Sequence, residues 1–244
     1  MEQIRVGNKN LSGYRLPGIF FKKYWFWFEG PVEVPGADMV NFFSYNKVDQ
    51  LGFKRKERLT TVIDLKRELS AIWEKMREGF IRKQIIKGER NGIVVRQDEN
   101  FSDFKRIYGK FRKDKNIHED NFRVFEKNGI LFSAYLANRM IAGGIFIANN
   151  NCFRAWVLAS KRLSDLSGPE REIVGQANRT VIWQAIKYAK EKNYEVFDLG
   201  GINPESEDRN ESSLAEFKEA FGGERKNGYF YYKIYSKILK ILIR

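Results

Sequence analysis

Few side chains in this sequence are suited to covalent or metal chemistry, and that scarcity narrows the possibilities. Cysteine and histidine each occur once, as Cys152 and His118. A lone cysteine excludes an intramolecular disulfide, and one of each excludes a Cys/His zinc centre, so no metal is expected. A Ser-His-Asp or Cys-His machine would have to run through His118. That residue lies in the charged stretch KNIHED and reads as a solvent-exposed histidine. Cys152 alternates within an apolar run and reads as a small buried residue. What remains is chemistry done with charge and hydrogen bonds. Asp198 ends a buried-type strand ahead of Gly200-Gly201, where loops at the carboxyl ends of strands commonly carry sites. An aspartate there either positions an amine or caps the following turn. Gly168 to Arg171 precede a long helix, and its N-terminus, with Arg171 and nearby Lys161 and Arg162, suits a phosphate. The alternative for this segment is a plain surface loop. Gln176, Asn178 and Arg179 form a polar trio inside that helix, where Glu and Lys are the commoner surface residues. With Arg154 or Trp156 on the neighbouring strand, Arg179 can line a cleft for an acceptor. Ordinary helix-surface polarity is the other reading.

These residues have to be held by a folded body of 244 residues. Hydrophobic residues make up 43% and aromatics 15%, too many for a disordered chain. The length allows one large domain or two small ones with a sizeable core. No run of about 18 apolar residues is present, so no membrane-spanning helix is expected. The opening MEQIRVGNKN has no apolar h-region, so a cytoplasmic protein is expected. The 44 Lys+Arg exceed the 31 Asp+Glu by 13. Such an excess favours polyanions: nucleic acid, anionic lipid or phosphorylated small molecules. A lysine-rich proteome is the plainer source. The cations cluster at Lys54-Arg55-Lys56, at Arg82-Lys83 and from Lys105 to Lys115, without the glycine-flanked aromatic pattern of an RNA-binding sheet.

The positioning elements follow from periodicity. Residues 1–64 are strand-rich, with YWFWFEG, MVNFFSYN and LTTVIDL separated by prolines and glycines. Asp64 then caps a helix whose stripe is Leu65, Leu69, Ile72, Met76 and Phe80, running on until Gly88 or Gly92. IVVR is a short strand. Ser102 caps a second helix carrying Phe104, Tyr108 and Phe111, and a third spans Glu119 to Lys127. ILFSAYLAN, MIAGGIFIAN and CFRAWVLAS form an antiparallel meander turning at Asn138 and at Asn149-Asn150-Asn151. The longest helix, Glu170 to Lys192, buries Val174, Ala177, Val181, Ala185 and Ala189. A buried strand from Tyr194 to Leu199, a helix from Leu214 to Phe221 closed by Gly222-Gly223, and a strand leading into a basic helix complete the chain.

The order meander–helix–strand–helix–strand is that of the GNAT acyltransferase fold. Two segments sharpen the likeness: 59–96, with Asp64-Leu65, Trp73 and Ile81-Arg82-Lys83, and 183–224, with Phe197-Asp198-Leu199-Gly200-Gly201, Phe217-Lys218 and Phe221-Gly222. Together they resemble the Fem-type aminoacyltransferases, the peptidoglycan-bridge-forming branch of the GNAT superfamily. The resemblance implies an α/β fold with a GNAT-type mixed, mostly antiparallel sheet flanked by helices. Residues 1–58 would be a shortened N-terminal GNAT-like half and 59–244 the GNAT-like acyltransferase domain. It also implies an N-acyltransferase that moves an acetyl or aminoacyl group from acyl-CoA or aminoacyl-tRNA to a primary amine of a cell-envelope or surface-polysaccharide precursor. That acceptor would be a small molecule or lipid-linked. The tRNA-binding coiled-coil arm has no counterpart here, which favours acyl-CoA. Lys218 matches the family's lysine and would stabilise negative charge on the acyl carbonyl, with Asp198 beside it. Arg162, Gly168, Arg171 and Phe217 would bind the donor, and Arg154, Trp156, Gln176, Asn178 and Arg179 the acceptor. In Fem-like proteins both halves contribute to the acceptor cleft, which brings in the region of Asp38, Asn41, Tyr45 and Lys47. Tyr229, Tyr231 and Tyr232 read as core. The C-terminal YSKILKILIR and the segment FFKKYWFWF suit an anionic membrane at the inner face, or a docked helix with snorkelling lysines. The alternative function is a non-catalytic nucleic-acid or membrane-surface binding module on the same fold.

Overall fold

In a computed structural model, residues 2–6, 9–16, 18, 20–117, 120–161 and 166–242 are described. The β-branched and aromatic runs at the start form β1 (Glu2–Val6), β2 (Lys9–Leu16), β3 (Lys23–Trp27), β4 (Met39–Ser44) and β5 (Lys54–Asp64). Next come α1 (Leu69–Lys75), a π-helical turn (Glu78–Arg82), α2 (Lys83–Arg90), β6 (Val94–Asp98), α3 (Phe101–Asp114) and α4 (Phe122–Asn128). The remainder is β7 (Ile130–Leu136), β8 (Arg139–Asn149), β9 (Cys152–Ser160), α5 (Gly168–Glu191), β10 (Val196–Ile202), α6 (Arg209–Glu219), β11 (Glu224–Ile234) and α7 (Lys237–Leu242).

All these strands join one sheet in the order β1-β2-β3-β4-β11-β5-β10-β9-β8-β7-β6. Neighbours are antiparallel except β3–β4 and β9–β10, so the expected mixed, mostly antiparallel sheet forms. The meander β7–β8–β9 turns at Ala137-Asn138 and Asn150-Asn151, all four with positive φ. That is the conformation two-residue hairpins need and asparagine tolerates. The same succession, an antiparallel meander followed by a parallel strand, occurs in β1–β2–β3 with β4 and in β7–β8–β9 with β10.

The two faces of the sheet are covered differently. On one, α1, α2 and α5 bury Ile72, Ile85, Ala177, Val181 and Ala185 against Phe146, Phe153 and Phe197. A reciprocal capping box between Ser167 and Glu170, with a proline in the first turn, starts α5. On the other face, α3 and α4 bring Phe104, Tyr108, Phe122 and Phe125 onto Leu131 and Ile145. Among the described residues no helix is long and apolar enough to cross a membrane.

Three expectations need correction. The stripe from Leu65 to Phe80 does not ride on one helix. Met76 and Arg77 are extended (ψ 136° and 116°), and the Arg77 N–H donates to the Ala220 carbonyl at 2.9 Å instead of continuing the helix. Asp64 ends β5 and accepts from the Lys66 N–H at 3.0 Å, so α1 starts at Leu69 without a side-chain cap. Asn100, not Ser102, caps α3 by accepting from the Asp103 N–H at 3.2 Å. Gly92 (φ +80°) closes α2 as one of the two expected stops. Gly88 instead lets α2 approach α5: a Cβ there would lie 3.1 Å from Thr180 Oγ1. His118 and Arg162 lie outside the described residues.

Candidate active site at the parting of β9 and β10

β9 and β10 run parallel and pair only from Val196↔Cys152 to Asp198↔Arg154. Beyond that pair both strands continue unpaired with each other, β9 to Ser160 and β10 to Ile202, so the sheet opens. β10 keeps its other partner, β5, through a bulge between Asp198 and Gly201. Gly200 sits in that bulge at φ +86°, a conformation that costs any other residue about 1–2 kcal/mol.

Asp198 is fully buried where the strands part. Oδ1 accepts from the Gly200 N–H at 2.7 Å and from the Thr60 hydroxyl. Oδ2 accepts from the Tyr45 hydroxyl at 2.7 Å and from Arg154 Nη1. A carboxylate offers about four acceptor positions, and donors fill all of them. The bond to Gly200 is the turn cap read from the sequence. The bond to Arg154 makes a buried ion pair, and the Arg154 guanidinium also lies over the rings of Phe43 (4.5 Å) and Trp27 (5.2 Å). Burial, together with the charge of Asp198, pushes the Tyr45 phenol well above its usual range.

Lys218, from α6, enters the same opening. It is 8% exposed, and its Nζ donates to the Gly201 carbonyl at 2.7 Å. Burial and the neighbouring Arg154 charge lower its pKa to about 8, partly opposed by Asp198. A Cβ built on Gly200 would lie 3.4 Å from Lys218 Nζ, 3.4 Å from the Ala155 carbonyl oxygen and 4.0 Å from Arg154 Nη2. Two cationic nitrogens and one carbonyl oxygen therefore border the place that a side chain at Gly200 would occupy and that glycine leaves open. Such a pair of donors favours an oxygen acquiring negative charge.

Lys218, Asp198 and Arg154 are thus brought together as a constellation. The remaining expected residues divide between the two faces. Arg179 lies on the α5 face, donating from Nε to the Phe80 carbonyl (2.6 Å) and from Nη1 to the Gly175 carbonyl (2.8 Å). Its guanidinium covers Phe80 and Phe217, the residue next to Lys218, at 4.7 and 5.3 Å. A groove of about 230 Å³ runs along Phe80, Gln84, Arg171, Glu172, Gly175 and Arg179. Arg171 is exposed there, and the α-carbon of Gly168 at the start of α5 faces open space. Gln176 is buried behind that groove and ties α5 to α2, accepting from Asn91 Nδ2 at 2.9 Å and donating to Glu172 Oε1 at 3.3 Å and Gln84 Oε1 at 3.5 Å. Asn178 donates to Ser160 Oγ at 3.0 Å and fastens the end of β9. The trio therefore does not share one cleft with Arg154 and Trp156. Trp156 stands on the opposite face, packed on Phe125 (4.7 Å) and Tyr14 (5.5 Å). There it lines a cavity of about 550 Å³ with Trp25, Trp27, Phe111, Phe230 and others.

Thr60, Trp27 and Phe43 belong to the constellation and were not singled out from the sequence. Tyr45 was reached only by region. Thr60 left no clear signal, since it is one of two adjacent threonines in a strand that is charged along its first half. The aromatic pair left none beyond the density of aromatics around it.

No protein-family model matches the chain, and no curated protein matches it in sequence. Solved structures do match. FemX aligns over 99% of this chain and 89% of its own at a TM-score of 0.66 and 13% identity. The C-terminal domain of a protein from Agrobacterium fabrum, described as a lysylphosphatidylglycerol synthetase, aligns over 93% and 82% at 0.51 and 13% identity. A conserved protein from Bacteroides thetaiotaomicron aligns over 91% and 82% at 0.50 and 9% identity. With its sheet order and the opening between β9 and β10, the chain has a Fem-like GNAT fold.

Proposed function

We propose that this protein is an N-acyltransferase that moves an acetyl or aminoacyl group from acyl-CoA or aminoacyl-tRNA to a primary amine. The observation that carries the reading is the convergence of Lys218 Nζ and Arg154 Nη2 beside Gly200, at the opening between parallel strands. The acyl carbonyl oxygen of the donor sits between those two donors. As the acceptor nitrogen attacks the carbonyl carbon, charge builds on the oxygen and both cations stabilise it. The C–S bond to CoA, or the C–O bond to tRNA, then breaks, and the proton lost by the amine ends on the departing sulfur or oxygen. Asp198, saturated by four donors, acts as a positioning residue for Arg154 rather than as a base.

The groove along Arg171, Arg179 and Phe80, continued by Phe217, suits the carrier's body, with the N-terminus of α5 and the segment containing Arg162 and Gly168 for its phosphates. The aromatic cavity at Trp156, whose wall includes the Trp27 ring that Arg154 covers, suits the acceptor. It is bounded by strands from both parts of the chain, which fits the reading of residues 1–58 as a shortened first GNAT-like half and 59–244 as the transferase domain. One structural neighbour is named for an aminoacylated lipid, and the +13 charge suits a tRNA or a phosphorylated, lipid-linked envelope precursor. On this reading the protein works in the cytoplasm, in contact with the inner face of the membrane.

The test is thermal denaturation with acetyl-CoA, other acyl-CoAs and aminoacyl-tRNA, followed by turnover with amine acceptors. A donor raises the melting temperature, and kcat/KM falls as pH rises through about 8, where free Lys218 loses its proton. Lys218→Met lowers kcat about 10²–10³-fold, as loss of an oxyanion donor does. No donor effect, together with tight, salt-sensitive RNA binding, would refute the transferase in favour of a binding module.

A further inference from the structure

Four segments far apart in sequence meet at one end of the sheet. They are the entry to β3 (Phe20 to Lys23), the entry to β4 (Asp38), the entry to β5 (Leu51 to Lys54) and the exit of β11 into α7. Register shows the meeting: Lys23 pairs with Met39, Met39 with Ile234, and Lys54 with Tyr232. Hydrogen bonds fasten it. The Asp38 N–H donates to the Lys22 carbonyl (2.9 Å), and the Tyr235 N–H donates to the Asp38 carbonyl (2.8 Å). Gly52 lies against the Lys233 side chain.

The five most exposed large apolar side chains among the described residues all stand at this end. They are Leu51 (92%), Phe20 (87%), Ile241 (74%), Leu242 (67%) and Ile238 (62%); no other exceeds 49%. In α7 the split is clean. Leu239 is 2% exposed and anchors the helix, while Ile238, Ile241 and Leu242 form the outward stripe. Lys22, Lys54, Lys237 and Lys240 are exposed around them, with Lys23 half-buried. The acids at this end are engaged: Glu33 with Lys233, Asp49 with Arg55, and Asp38 with the Lys22 N–H at 2.8 Å. The face is therefore apolar in its projections and cationic at its rim.

We propose that this end of the sheet is a docking face for an anionic lipid bilayer, with Phe20, Leu51, Ile238, Ile241 and Leu242 entering the interface and the lysines meeting lipid phosphates. Charge complementarity selects this occupant. A protein partner would not require an unbalanced ring of lysines, and a nucleic acid would not require protruding isoleucines. The face makes no use of Lys218, Arg154 or Asp198, so it stands apart from the transfer chemistry. The aromatic cavity does approach it: Leu16, on its wall, pairs with Lys23.

The experiment is co-sedimentation of the full chain with phosphatidylcholine vesicles, with and without phosphatidylglycerol, across a salt series. The wild type binds the anionic vesicles and is released by salt. Ile238→Ser/Ile241→Ser/Leu242→Ser, which keeps Leu239, and Lys237→Glu/Lys240→Glu each weaken binding about tenfold or more, while urea denaturation shows an unchanged fold. Absence of vesicle binding, equal binding to neutral vesicles, or variants that bind like the wild type overturns the proposal. So does a self-association in vesicle-free buffer that the serine variant abolishes while vesicle binding persists. No acyl donor is present in the assay, so its outcome is independent of the transferase test.

Discussion

Lys218→Met removes a charge that the fold disfavours, and the size of the effect follows from the lysine's surroundings. Its pKa falls from 10.5 to about 8 on folding, so between those values the unfolded chain binds more protons than the folded one. Wild-type stability therefore rises with pH through that window, and the cost is fully present below it. At 1.36 kcal/mol per pH unit the cost is about 3 kcal/mol at neutral pH, falling to about 1 kcal/mol near pH 10. Methionine has similar length and no charge, but it leaves the Gly201 carbonyl without its donor, a loss of about 1–2 kcal/mol that does not vary with pH. The variant should be the more stable protein at pH 7 by about 1–2 kcal/mol and lose that advantage by pH 10. This swing of about 2 kcal/mol corresponds to about 4–8 °C in melting temperature for a chain of this size. Urea denaturation of both proteins at several pH values measures it. A stability difference that stays constant with pH, or a variant less stable at pH 7, would show that Lys218 is not held in the low-dielectric opening described above.

Two further outcomes test the rest of the constellation. Asp198→Ala leaves the Arg154 charge buried beside Phe43 and should cost about 3–5 kcal/mol in urea denaturation. Arg154→Met/Asp198→Leu, which removes both charges, should cost less than Asp198→Ala alone, and simple additivity of the single variants would contradict the ion-pair account. Gly200→Ala should cost about 1–2 kcal/mol for its left-handed backbone. Its Cβ also fills the space between Lys218 Nζ and Arg154 Nη2, so kcat/KM should fall tenfold or more while the fold survives.

The parts of the fold legible in the sequence were those set by local rules. Asn138 and Asn150-Asn151 announce hairpins because asparagine accepts positive φ, and the Ala-rich stripe of α5 announces a buried helix. The stripe through Leu69, Ile72, Met76 and Phe80 misled about the backbone while being right about the core. All four side chains pack inward, but the chain breaks at Met76-Arg77 to bond the end of α6, a partner more than a hundred residues away. The site divides in the same way. Asp198 was legible from the Gly200-Gly201 that follow it, although β10 bulges there and runs on to Ile202 instead of ending, and Lys218 from the family resemblance. Their meeting with Thr60, Trp27 and Phe43 depends on strand order, which no local pattern encodes. The trio on α5 separates because successive helical residues are turned by about 100°. Gln176, Asn178 and Arg179 therefore point to α2, to the end of β9 and to the groove in turn.

The position of β11 governs the order in which this molecule can be completed. Its residues Glu224–Tyr232 pair with β5 and Tyr229–Ile234 with β4, so it is the seam between the first four strands and all the others. On the ribosome, β4 emerges with its Phe42 and Phe43 and must wait for more than 180 further residues, until β11 is synthesised, before its edge is satisfied. During that interval MVNFFS is an open apolar strand, the kind of segment that chaperones hold and that aggregates when left unattended. Nascent chains arrested before Glu224 should therefore carry a finished β7–β8–β9 meander and an unfinished amino-terminal sheet, a vulnerability that the mature protein conceals.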